Sequence, residues 1–184
     1  MLKGKKIAVF CSSSRNPEPA YRGVALALGA KIANQGCALV FGGTDLGLMS
    51  DVAASAADGG APVYASIPEK IFEKHQAFAR CTELHRARDL AGRKAKMNEW
   101  ADAFVVLPGG FGTLDELSEI LAERQLKLHQ KPVVILNVND YYNPFMLMTR
   151  RMIADGLAPE NAFDFFKIAH SVEEAFDYLG QMLV

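Results

Sequence analysis

The sequence predicts an α/β fold: a single doubly wound domain over residues 1–184, with a parallel sheet flanked by helices. Three observations carry this. Short runs that are apolar at every position, as in strands covered on both faces, alternate with longer stretches of helical periodicity. Two of these runs pass straight into glycine turns that open helices, at Gly42-Gly43 and at Gly109-Gly110. In a parallel sheet such turns face one crevice beyond the strand ends. No linker, repeat or low-complexity segment breaks the alternation.

Ile7-Ala8-Val9-Phe10 is the first strand. The polar loop Cys11-Ser12-Ser13-Ser14-Arg15-Asn16-Pro17 follows, where an α/β sheet puts ligand contacts. Ser13 is a candidate contact, and a solvated turn is the competing reading. A helix is expected over 19–35, with Val24, Leu26, Leu28 and Ile32 among its apolar residues and Gly36 just past its end. The second strand is 38–41. Gly42-Gly43-Thr44-Asp45-Leu46-Gly47 then leads into an alanine-rich helix over 48–58, stopped by Gly59-Gly60. Gly43 is a second candidate contact. Residues 62–66 are the third strand.

Residues 67–92 have the least regular pattern. They are rich in charge and hold His75 and His85, with no carboxylate at a metal-like spacing, so no metal site is expected. A helix over about 89–100 carries Arg93, Lys94 and Lys96. Arg93 and Met97 fall on one face, and Lys94 and Asn98 on another. For these cations a solvated face competes with a functional one.

Residues 103–107 are a central strand, followed by Pro108-Gly109-Gly110-Phe111-Gly112-Thr113 and a helix starting at about Thr113. Leu114, Leu117, Ile120, Leu121 and Leu128 can share its buried face. Strand, glycine turn and helix start together aim free backbone N–H groups at an anion. A phosphate cradle at Gly109, Gly110, Phe111, Gly112 and Thr113 is therefore expected, with Glu116 one turn further on. The competing reading is a capping box, Thr113-x-x-Glu116. A strand over 132–136, a loop over 137–143 and a helix from Pro144 to Asp155 come next. A short strand over 166–169 and a final helix opened by Ser171-x-x-Glu174 complete the pattern.

The chain has 184 residues, half of them hydrophobic, and a formal net charge of −1. That is enough for a full core and gives no electrostatic case for nucleic acid or an anionic membrane surface. An anion site has to be built locally. Cys11, Cys37 and Cys81 form no metal or CxxC pattern and read as free thiols in a reducing cytoplasm. The start, Met1 to Lys6, precedes an apolar run too short for a signal peptide, and no run is long enough to cross a bilayer. A GxGxxG fingerprint after the first strand, a GxxxxGK[ST] loop and a GxSxG elbow are all absent.

Pro108-Gly-Gly-Phe-Gly-Thr-Leu-Asp-Glu116 resembles the PGGxGTxxE signature of the Lonely Guy family, cytokinin-activating phosphoribohydrolases with a Rossmann-like fold. Arg93-Lys94 matches the Arg-Lys pair that accompanies the signature. Gly42-Gly43-x-x-x-Gly47-Leu48-Met49 and Leu136-Asn137-Val138-x-x-Tyr141-Tyr142-Asn143 resemble the family's earlier glycine turn and later loop. The resemblance implies hydrolysis of the N-glycosidic bond of a nucleoside 5′-monophosphate, AMP or an N6-modified AMP. It assigns catalysis to Arg93 and Glu116 and the phosphate to the glycine turn with Lys94. It implies no cofactor and a homodimer. The sequence departs from the family's pattern at Leu90-Ala91, at His75 and at Ala122-Glu123. These positions lie around the substrate, not in the cradle, and leave the base open. Arg93 does not give up its proton at neutral pH, so it is expected to orient Glu116 or clamp the nucleotide. Asp115 lies about 100° round the helix from Glu116, and Asp45 is the alternative carboxylate. A nucleotide or cofactor carrier without turnover is the second reading.

Overall fold

The computed structural model describes residues 2–183. One parallel sheet takes seven strands in the order β4-β3-β2-β1-β5-β6-β7. They are β1 (Lys6–Phe10), β2 (Ala38–Phe41), β3 (Val63–Pro68), β4 (Glu83–Ala87), β5 (Ala103–Val106), β6 (Val133–Leu136) and β7 (Lys167–Ala169). The helices are α1 (Pro19–Asn34), α2 (Gly47–Asp58), α3 (Glu69–Phe72), α4 (Leu90–Trp100), α5 (Phe111–Gln125), α6 (Asn143–Ala154) and α7 (Val172–Met182).

The central strands alternate their side chains between two cores. Ile7, Val9, Leu39, Phe41, Val105 and Val134 face the layer of α1, α2 and α7. Ala8, Phe10, Val40, Phe104, Val106 and Ile135 face the other side, with Met97 of α4 and Leu117 and Ile120 of α5. Both faces are therefore apolar, which is why these strands read as continuous apolar runs. Strand order reverses at β1, which pairs with β2 on one side and β5 on the other. The loops leaving β1 and β5 part there, and a crevice opens beyond the strand ends.

The sequence reading needs four corrections. The stretch read as irregular, 67–92, contains β4 and the short α3. β4 is an edge strand whose Glu83, Leu84 and Arg86 are exposed, so it carries no apolar signal and is kept polar as unpaired edges commonly are. α5 begins at Phe111, two residues earlier than expected, with Gly110 at its N-cap and no side chain capping it. Thr113 is thus inside the first turn, and the capping box with Glu116 does not form. Leu128 lies beyond the end of α5 and is 71% exposed, so it is not part of the buried face. The capping residue Ser171 of α7 does accept from the Glu174 N–H, and Glu174 returns a bond to the His170 N–H.

Candidate active site

A cleft of about 460 Å³ lies where the strand order reverses, within the roughly 300–1,000 Å³ typical of small-ligand sites. The loop after β1 supplies Cys11 to Ser14, and the turn after β2 supplies Gly42 and Thr44. The start of α5 supplies Gly110 to Thr113, while Arg93 and Glu116 come from the facing helices α4 and α5.

Arg93 and Glu116 form the floor. Arg93 is 8% exposed and Glu116 2% exposed. Arg93 Nη1 lies 2.7 Å from Glu116 Oε1, and Arg93 Nε donates to the Ser66 carbonyl at 3.2 Å. The third arm of the guanidinium lies against Gly42, where a Cβ would come within 1.9 Å of Nη2. Glycine is required there by close approach rather than by backbone conformation. The Arg93 to Glu116 contact is short but poorly aligned as a hydrogen bond, and Oε1 has no well-directed donor. Burial raises the Glu116 carboxyl above the ordinary carboxylate range, and the neighbouring Arg93 only partly opposes this. A buried carboxyl that is incompletely paired and lines a cleft is a candidate for chemistry.

The wall opposite is backbone. The first helical bond of α5 runs from the Leu114 N–H to the Gly110 carbonyl at 3.0 Å. No side chain caps the helix, so its first N–H groups stand open to an external acceptor, at the positive end of the dipole. A Cβ added at Gly110 or Gly112 would meet nothing within 4 Å, so both face open space. On the other side of the turn every carbonyl is held. Leu107 accepts from the Tyr142 hydroxyl at 2.8 Å and Gly109 from the Tyr141 hydroxyl at 2.5 Å. Pro108 accepts from the Ser12 N–H at 3.3 Å. Ser12 also accepts the Leu48 N–H at 3.0 Å on its carbonyl, which ties the three loops together.

The sequence-predicted residues divide. Arg93, Glu116, Ser13, Gly110, Phe111, Gly112 and Thr113 line the one cleft. Gly43 does not line it; its φ of +87° and its packing on Ile67 and Ala65 hold Gly42 and Thr44 in place. Gly109 sits behind the wall, against Thr113. Lys94 points elsewhere: its ammonium pairs with Asp115 at 2.9 Å and with Glu119, fastening α4 to α5. Asp115 is therefore turned away from Glu116. Asp45 is exposed and accepts from the Ser50 hydroxyl at 2.5 Å. The sequence reading placed the hydroxyls of the loop after β1 at ligand contacts but gave no role here to Cys11, Tyr141 or Tyr142. A tyrosine whose partner is a distant backbone carbonyl leaves no periodic trace. Among the described residues, no group of three or more His, Cys, Asp or Glu side chains could hold a metal ion.

The family described as "Possible lysine decarboxylase" matches residues 49–179. The rice protein "Cytokinin riboside 5′-monophosphate phosphoribohydrolase LOG" is 36% identical over 86% of this chain and 65% of its own length. The Arabidopsis thaliana proteins of the same description ending LOG3 and LOG7 are 35% and 34% identical. Those matches cover 94% and 98% of this chain, and 80% and 88% of theirs. The chain belongs to the Lonely Guy family. Solved structures extend the fold beyond that family. The molybdenum cofactor binding protein of Rippkaea orientalis superposes with a TM-score of 0.75 over 100% of both chains, at 21% identity. The molybdenum cofactor carrier protein of Chlamydomonas reinhardtii gives 0.71 over 98% of this chain and 99% of its own, at 20% identity. At that identity they share the fold alone. Of the Lonely Guy positions at which this chain departs, Leu90 lines the cleft, whereas His75 is exposed and Glu123 accepts from Asn98 of α4, about two turns along α5 from Glu116.

Proposed function

We propose that this chain hydrolyses the N-glycosidic bond of a nucleoside 5′-monophosphate, giving free base and ribose 5-phosphate. The observation that carries the proposal is Glu116, a carboxyl 2% exposed with an underpaired oxygen, across a cleft from an uncapped helix start. The named activity of the plant relatives, phosphoribohydrolysis of a riboside 5′-monophosphate, asks for those two features together.

The 5′-phosphate binds the first N–H groups of α5 with the Thr113 hydroxyl, at the positive end of the helix dipole. Departure of the base leaves an oxocarbenium-like sugar. Glu116 stabilises that charge, accepts from ribose hydroxyls and orients the water that adds to the anomeric carbon. Water supplies hydroxyl to the sugar and a proton to the departing base. Arg93 holds the Glu116 carboxylate and keeps its own proton throughout. Met49, Ile71 and Leu90 offer apolar surface suited to the faces of a base, adenine or N6-modified adenine. No cofactor takes part.

The protein acts as a homodimer, which fits the exposure of Phe111 and Leu90 at the cleft, 92% and 57%. It works in the cytoplasm, which suits three cysteines that are all unpaired. Residues 1–184 act as one domain.

The test is incubation with a panel of nucleoside 5′-monophosphates and the matching nucleosides, with chromatography of released base. Base from AMP or N6-modified AMP, and little from adenosine, is the expected result. Equal release from AMP and adenosine removes the phosphate cradle. Tight nucleotide binding with no release from any member of the panel supports a carrier instead.

A further inference from the structure

Resting on the phosphate cradle just proposed, we infer that Tyr141 is a positioning residue of that cradle: its hydroxyl fixes the Gly110 N–H by holding the Gly109 carbonyl. The Gly109 carbonyl and the Gly110 N–H belong to one peptide plane. The Tyr141 hydroxyl donates to that carbonyl at 2.5 Å, so the N–H on the far side of the plane is turned toward the cleft that Gly110 lines. Gly110 needs such a hold. With no Cβ and with open space where one would sit, nothing on the residue itself restrains the plane.

The loop that delivers Tyr141 is built under strain. Asn139 and Asp140, immediately before it, have φ of +50° and +58°. Asn and Asp tolerate the left-handed region better than other non-glycine residues, but two in succession are uncommon and persist where their surroundings hold them. Here the surroundings are a set of hydrogen bonds. Asn137 Oδ1 accepts the Tyr142 N–H at 2.7 Å, and Asn137 Nδ2 donates to Asn143 Oδ1 at 2.9 Å. The Tyr141 ring packs edge-on against Tyr142 and Tyr21, with centroids 5.0 and 5.9 Å away. Tyr142 makes a matching bond to the Leu107 carbonyl, but that plane carries the nitrogen of Pro108, which has no proton to aim. The two phenols therefore differ in consequence. Loss of the Tyr142 hydroxyl orphans a buried carbonyl and costs stability. Loss of the Tyr141 hydroxyl frees a phosphate donor.

The experiment compares wild type, Tyr141→Phe and Tyr142→Phe. Three readouts are taken: the AMP-to-adenosine ratio of kcat/KM, the inhibition constant of ribose 5-phosphate, and the melting temperature. In Tyr141→Phe the ring contacts stay. The inhibition constant should rise and the ratio fall about five- to tenfold, mainly through KM, with Tm nearly unchanged. Tyr142→Phe should show the opposite, a lower Tm with an unaltered ratio. Should Tyr141→Phe melt early, ribose 5-phosphate binding is read by calorimetry well below its Tm. Unchanged phosphate recognition in a folded Tyr141→Phe, or an equal change in Tyr142→Phe, overturns the inference while leaving the cradle standing. A wild type that neither prefers AMP nor binds ribose 5-phosphate removes the cradle, and this inference with it.

Discussion

Arg93 and Glu116 meet at 2.7 Å between α4 and α5, and both are buried. A pair of this kind is weak support for stability. Removing two charges from water costs several kcal/mol per ion, and an apolar pair of similar volume often serves folding as well or better. Here the carboxyl is also raised above its ordinary range and left with an underpaired oxygen in a cleft. The arrangement makes sense if a ligand completes it.

Glu116→Gln separates charge from shape. The amide keeps the volume but offers no negative charge to an oxocarbenium-like sugar. We expect kcat to fall at least about 100-fold while AMP still binds. Burial outweighs Arg93 in the folded protein and disfavours the charged carboxyl, so a neutral amide of the same volume should cost little stability. Glu116→Ala should be as inactive and less stable, by roughly 3–5 kcal/mol relative to wild type. Near-normal turnover by a folded Glu116→Gln would move the chemistry to another group.

The same carboxyl predicts two pH effects. Its folded pKa lies above the unfolded value, because burial outweighs the attraction of Arg93. The folded state therefore binds more protons between those two values. The contribution of Glu116 to stability is fully present below the unfolded pKa and is lost as pH rises through the folded one. Melting curves across this window should show wild type losing stability relative to Glu116→Gln as pH rises. In kcat/KM the acidic limb should lie above the usual carboxylate range and vanish in the Gln variant. A wild-type limb at an ordinary glutamate value would contradict this.

Arg93→Lys keeps a cation beside Glu116 but loses the fork. Arg93 uses Nε on Ser66, Nη1 on Glu116 and Nη2 against Gly42, and a single ammonium cannot occupy three places. We expect kcat/KM to fall on the order of 100-fold, with a folding cost near about 1 kcal/mol. Activity close to wild type in steady-state assays would mean that a point charge is enough.

These expectations also mark what the sequence could disclose. The central strands are covered on both faces, so their positions show as unbroken apolar runs; edge strand β4 is covered by little and showed as nothing. Arg93 shares a helix face with Met97, and both are buried; the spacing set that face apart from the one of Lys94 and Asn98 but left a solvated face open for both cations. Lys94 stands one residue on, about 100° round the helix, and is spent on Asp115 and Glu119. Motif adjacency could not separate the two, but helical phase could. The capping box failed for a similar reason. Its spacing is present in the letters, yet the helix starts earlier because Gly110 takes the N-cap. Ser12, Tyr141 and Tyr142 act on backbone carbonyls far away in the chain, and only the assembled sheet brings them together.

Gly42→Ala tests the packing of the Arg93–Glu116 floor from the side of β2. Gly42 does not have a left-handed φ, so alanine suits its backbone. The added methyl would, however, fall 1.9 Å from Arg93 Nη2 and 3.0 Å from its Cζ. A side-chain end can move, so the fold survives at a cost of about 1–3 kcal/mol. The guanidinium has few places to go, because its Nε is held by the Ser66 carbonyl and the residue is only 8% exposed. It must swing away from Glu116, and misplacement by about 1 Å in a catalytic pair can cost about 100-fold in rate. We therefore expect a folded Gly42→Ala protein whose kcat falls at least tenfold, although residue 42 offers no functional group of its own. An assay showing unchanged kcat, with Tm lowered as expected, would mean that the position of Arg93 against Glu116 does not limit the reaction.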